Sequence, residues 1–122
     1  MTVRLSKRSF EFAKRLIDEG HYVLDEMDDW SEHQPSTRQE NDFIEKHGFA
    51  EYAKWHLAED DESGEETKSR YKFPYGDFEK VHRCGVIAAE VRAARLDYTD
   101  VEVAAAHLHG MLDELRSHQH TG

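Results

Sequence analysis

The 122-residue chain carries 26 acidic and 16 basic side chains, a formal charge of −10 with the histidines neutral, and 38% of its residues are hydrophobic. That length suits one domain with a modest core, and 13 aromatic residues argue against wholesale disorder. The charge disfavours nonspecific binding to a phosphate backbone, and the single cysteine, Cys84, excludes an internal disulfide.

No apolar run approaches the roughly 20 residues of a membrane span. The opening stretch MTVRLSKRSFEFAKRL is basic without a continuous apolar segment, so no secretory signal is expected and a soluble cytoplasmic protein is. Ser6 or Ser9 caps a first helix running to about Glu19, with Gly20 just past its end. Phe10, Ala13, Leu16 and Ile17 form its apolar stripe. Residues 22–34, with Tyr22, Leu24, Met27 and Trp30, read equally as a short strand or as coil.

In PSTRQENDFIEKHG, Ser36 or Thr37 caps a helix, Gln39 or Glu40 closes a capping box, and Gly48 stops it. Phe49, Tyr52, Ala53, Trp55 and Leu57 suggest a second short helix directly after. Residues 59–66 hold six acids in eight positions, so 59–70 is expected to be a mobile acidic loop.

KSRYKFPYGD, residues 68–77, reads as an aromatic plug that seats this loop ahead of a helix capped by Asp77, with Pro74 keeping Phe73 out of the helical region. That helix carries Val81, Cys84, Ala88, Val91 and Arg95, and Gly85 within it costs about 1 kcal/mol, tolerable where another helix needs to approach. LDYTD is a turn, and Thr99 with Glu102 forms a second capping box. The last helix carries Val101, Ala104, Ala105, Leu108, Met111, Leu112 and Leu115, then frays over 116–122. The expected fold is mostly α: one domain over 1–122, an orthogonal array of four or five helices ending in an αα-hairpin, with an irregular acidic middle.

Residues 65–115, through Lys72, Phe73, Pro74, Gly76 and Asp77 and the helix that follows, resemble a K-F-P-x-G-D module of uncharacterised bacterial and phage-associated proteins. The resemblance implies a helix pair and no catalytic residue.

Nine histidines raise the question of a metal site. His82 and Cys84, and likewise His107 and His109, stand two residues apart, which on a helix turns them about 200° from each other. No pair of histidines has the spacing of H-E-x-x-H. A site assembled across helices from His82, His107 and His109 is the alternative. Cys84 lies on the apolar stripe and reads as a small core residue. No G-x-S-x-G, glycine-rich phosphate loop or EF-hand loop is present.

The pattern requires no cofactor and points to a non-enzymatic protein–protein interaction module. Its candidate anchors are Trp30, Trp55, Arg70, Tyr71 and Tyr75, although packing in or near the core is the ordinary use of both tryptophans. The partner is an unidentified protein or a second copy held through an apolar helix face, with no direct nucleic-acid binding and no membrane. An acidic mimic of nucleic acid, docking on a basic groove, is a further alternative.

Overall fold

A computed structural model describes residues 3–121, with side chains through residue 117. Its described elements run β1 (Val3–Leu5), α1 (Lys7–Asp18), β2 (Tyr22–Val23), α2 (Trp30–His33), α3 (Thr37–His47), α4 (Phe49–Ala53), β3 (His56–Asp60), a 3-10 turn (Lys68–Arg70), β4 (Tyr71–Pro74), β5 (Val81–His82), α5 (Arg83–Arg95) and α6 (Thr99–Thr121). Helix dominates, as expected, but two small sheets join it.

Local signals act where the sequence places them. Ser6 caps α1 by accepting from the Ser9 N–H at 3.2 Å, and Gly20 follows the helix with φ of 86°. Ser36 and Gln39 close a reciprocal capping box at the start of α3, and Gly48 ends that helix at φ 85°. Only a three-residue turn, 96–98, separates α5 from α6, and the two pack as an αα-hairpin.

The sheets correct the expected helical array. β1, β3 and β4 form an antiparallel sheet in the order β1-β3-β4, with Leu5 opposite Ala58 and Ala58 opposite Lys72. Leu57 therefore belongs to β3 rather than to a second short helix, which ends at Ala53. The acidic run begins inside β3 and continues as the connection to β4. The second sheet pairs β2 with β5 in parallel, Tyr22 beside Val81 and Val23 beside His82. Residues 22–34 are thus part strand, part coil and part helical turn.

Asp77 does not start the long helix; α5 begins six residues later, at Arg83. Instead Asp77 Oδ1 accepts from the N–H groups of Glu79 and Lys80 at 3.0 and 2.7 Å, closing a tight turn in which Phe78 takes a φ of 72°. Phe73, ahead of Pro74 in β4, takes a φ of 65° and so stays out of the helical region. Thr99 is already helical, and the Tyr98 carbonyl accepts the Glu102 N–H, so Thr99 does not stand at the N-cap expected of the second capping box. α6 runs through Thr121, and Gly122 lies outside the described residues.

Leu57, Tyr75, Val81, Val86, Val101, Leu108 and Leu112 are fully buried where α1, the α5–α6 hairpin and the three-stranded sheet meet. Burying side chains of this size stabilises by about 1.5–3 kcal/mol each. Among the described residues no helix is long and apolar enough to cross a membrane.

Candidate metal centre

The parallel pair β2–β5 brings two distant segments into register. With Val23 beside His82, the chain two residues further on places Asp25 beside Cys84. Asp25 Oδ1 accepts the Cys84 backbone N–H at 2.8 Å, satisfying one of the free donors in the first turn of α5. His82 stands at the N-cap of α5 in an extended conformation and makes no side-chain cap bond there. Asp25 supplies that bond from another part of the chain. The Arg83 guanidinium donates to the Asp25 carbonyl at 3.1 Å and ties the same junction from outside.

The other carboxylate oxygen is crowded. Asp25 Oδ2 lies 2.7 Å from His33 Nδ1, 2.7 Å from His82 Nδ1 and 3.0 Å from Cys84 Sγ. A carboxylate oxygen offers about two lone-pair directions, so three ligand-type atoms packed on one oxygen crowd it. His33 reaches the site from the end of α2, whose N-cap residue Asp29 accepts the Glu26 N–H at 2.9 Å and folds the arm back. The Trp30 indole covers Gly85, where an added Cβ would stand 2.8 Å from the ring and 2.8 Å from the Tyr75 carbonyl. The approach foreseen at Gly85 is therefore real, and the group that approaches is Trp30.

Asp25, His33, His82 and Cys84 each offer one ligand atom, and the four atoms lie within 4.8 Å of one another. Carboxylate, imidazole and thiolate are the donors that a zinc-type cation takes, with neighbouring ligand atoms about 3.3–3.8 Å apart in a tetrahedron. Opening the three hydrogen bonds to Asp25 by under an ångström reaches that spacing, and Cys84 Sγ already lies 3.9 Å from His33 Nδ1. Asp77 completes the arrangement: its Oδ2 sits 2.8 Å from His82 Nε2, so a proton held there leaves Nδ1 as the lone-pair donor facing the site. A carboxylate behind a ligating histidine is the usual way to set its tautomer and orientation.

The electrostatics follow from this packing. Burial alone would raise the Asp25 carboxyl, but hydrogen bonds from the Cys84 thiol, the Cys84 N–H, His33 and His82 outweigh it and bring it down to about 2. Burial also opposes charge on His82, yet Asp77 and Asp25 outweigh it and raise its pKa. Asp77 is lowered, since bonds from His82, Lys80 and Glu79 outweigh its burial. The Cys84 thiol is pushed well up by burial, then by its bond to Asp25 and that group's charge. A protonated, fully buried thiol is a poor nucleophile. A bound divalent cation would reverse this, displacing the thiol and imidazole protons.

Of the sequence-predicted site residues, only His82 belongs to this cluster. His107 stacks edge-on against Phe10, 5.6 Å between centroids, while His109 binds Glu90 at 2.8 Å and Asp113 at 3.0 Å. The cross-helix triad of His82, His107 and His109 is therefore not assembled. Trp55, Tyr71 and Tyr75 are buried, and the Tyr75 hydroxyl donates to the Lys54 carbonyl at 2.6 Å. Arg70 is held by Glu59 at 3.0 Å and the Ser63 carbonyl at 2.8 Å. Four of the five proposed anchors thus pack or pair internally, and Trp30, half-buried, covers Gly85 beside His82.

Asp25, His33 and Cys84 escaped the sequence reading as ligands. The available signal was H-x-C at 82–84, with His82 ending a strand and Cys84 in the first turn of the helix that follows. Comparison of the chain with protein-family models, with curated proteins and with solved structures finds no match.

Proposed function

We propose that this chain is a metal-binding protein that holds one zinc-type divalent cation through Asp25 Oδ2, His33 Nδ1, His82 Nδ1 and Cys84 Sγ. The observation that carries this reading is the convergence of two imidazole nitrogens and a thiol on one buried carboxylate oxygen. A cation at their centre replaces competing protons with a shared charge, and Asp77 holds His82 in the matching tautomer.

Four protein ligands make a closed site, the pattern of structural rather than catalytic zinc. The metal's work is then mechanical: it clamps the arm 25–33, whose ends carry Asp25 and His33, onto the start of α5. We read the protein as a metal-stabilised binding module and not as an enzyme. A second reading rests on one observation: the His33 side chain is 37% exposed and, with Asp77, lines a cleft of about 490 Å³. Release of His33 would open a coordination position toward that cleft and make the centre catalytic.

The test is elemental analysis of untagged protein purified without chelators, followed by cobalt substitution. The expected result is one equivalent of metal per chain and a cobalt spectrum with thiolate charge-transfer absorption, lost in Cys84→Ser. Protein that is metal-free and takes up neither zinc nor cobalt in calorimetry overturns the reading.

A further inference from the structure

Four large apolar side chains are exposed among the described residues, and three of them, Met27 at 65%, Val91 at 46% and Leu96 at 47%, line one groove of about 500 Å³ on the outer face of α5. Scattered exposed apolar residues need no explanation, but their convergence on one face marks an interaction surface. Ile87 and Ala88 form the floor of the groove.

Charges of both signs flank it. Arg92 and Arg95 line the groove toward the C-terminal end of α5, and among the described residues neither has an ion-pair partner. Asp28, next to Met27 on the arm docked at the N-terminal end of α5, is exposed and equally unpaired. Nine residues separate Ile87 from Leu96, about 13 Å of helix. The surface therefore carries charge of both signs, without ion-pair partners, around an apolar middle.

We infer that a second copy of this chain covers the groove, with the two α5 helices antiparallel about a two-fold axis near Val91. A two-fold interface places the same patch on both sides, so the patch must complement itself. Antiparallel packing sets Asp28 of each copy against Arg92 and Arg95 of the other and closes Met27, Val91 and Leu96 against their counterparts. Parallel packing would oppose arginine to arginine. Met27 and Asp28 lie on the arm 25–33 that the proposed cation would clamp, so the inference rests on that arm being seated on α5.

The experiment is sedimentation equilibrium of the full chain from micromolar to millimolar concentration, with two charge-reversed variants, Asp28→Arg and Arg92→Glu/Arg95→Glu. The wild type is expected to dimerise reversibly. Each variant alone sets like charges together and is expected to weaken dimerisation by about tenfold or more. An equimolar mixture of the two restores attraction at both ends of the axis and is expected to dimerise again. All three substituted positions are exposed, so circular dichroism should match the wild type. A wild type that stays monomeric, variants that dimerise as it does, or a mixture that stays monomeric would each overturn the inference.

Discussion

His56 offers a sharp test of how the core is held. It begins β3, is almost wholly buried, and its Nδ1 lies 2.9 Å from the Tyr52 carbonyl, with the Tyr52 ring 4.4 Å away. Burial disfavours the charged imidazole, and the bond to Tyr52 recovers only part of that cost, so the pKa falls from 6.5 to about 4. The folded protein therefore keeps His56 neutral at a pH where the unfolded chain already binds a proton. This contribution to stability is complete above pH 6.5, is lost as pH falls from 6.5 toward 4, and changes no further below that. At about 1.4 kcal/mol per pH unit, the whole window is worth about 3 kcal/mol. His82 acts with the opposite sign, because its raised pKa stabilises fully below 6.5 and loses effect as pH rises through the folded value. Asp25 and Asp77, both lowered, matter only as pH falls through the carboxylate range. The assay is urea denaturation at several pH values between 7 and 4 in the presence of chelator, comparing wild type with His56→Gln. Glutamine can still donate to the Tyr52 carbonyl but does not titrate. The wild type should lose about 3 kcal/mol more than the variant across the window. Parallel loss in both proteins would refute the assignment of a neutral, buried His56.

Two further expectations bear on the metal cluster. Asp77→Asn keeps an oxygen for the 77–80 turn but removes the charge behind His82, and should weaken zinc binding by about 10–100-fold by calorimetry while leaving the circular dichroism spectrum unchanged. Gly85→Ala improves helix propensity by about 1 kcal/mol, but its Cβ would meet both the Trp30 ring and the Tyr75 carbonyl at 2.8 Å. Overpacking against backbone costs about 1–3 kcal/mol, so the variant should be less stable in urea and should bind zinc more weakly as Trp30 pushes the His33 arm outward.

The parts of this fold legible in the sequence are those decided within a few residues. Ser6, Gly20, Ser36 with Gln39, and Gly48 mark helix ends through contacts spanning three or four positions. The hairpin of α5 and α6 follows from a short turn between two apolar repeats. The strands were not legible because β2 and β5 are two residues long, and each is defined by a partner 59 positions away. No periodicity can develop over two residues. β3 is hidden by its burial pattern: His56, Leu57 and Ala58 are all buried, so the alternation of a half-exposed strand is missing.

The candidate ligand cluster was hidden by one error of period. With Asp77 taken as a helix cap, His82 and Cys84 fall on opposite sides of a helix and cannot share a ligand. The turn at 77–80 ends before Val81, and Val81 and His82 are extended, so His82 and Cys84 both reach Asp25. Asp77 misled because aspartate closes a turn and caps a helix by the same bond, a carboxylate accepting backbone N–H groups two or three residues on. Asp25 was masked differently. It is one of seven acids between Asp18 and Glu32, and nothing local distinguishes the buried one from the solvated six. What distinguishes it is the parallel register of Val23 with His82, a long-range property of the sheet. The ligand set is therefore a consequence of strand pairing, and a substitution that breaks the β2–β5 pair should disperse all four ligands without touching any of them.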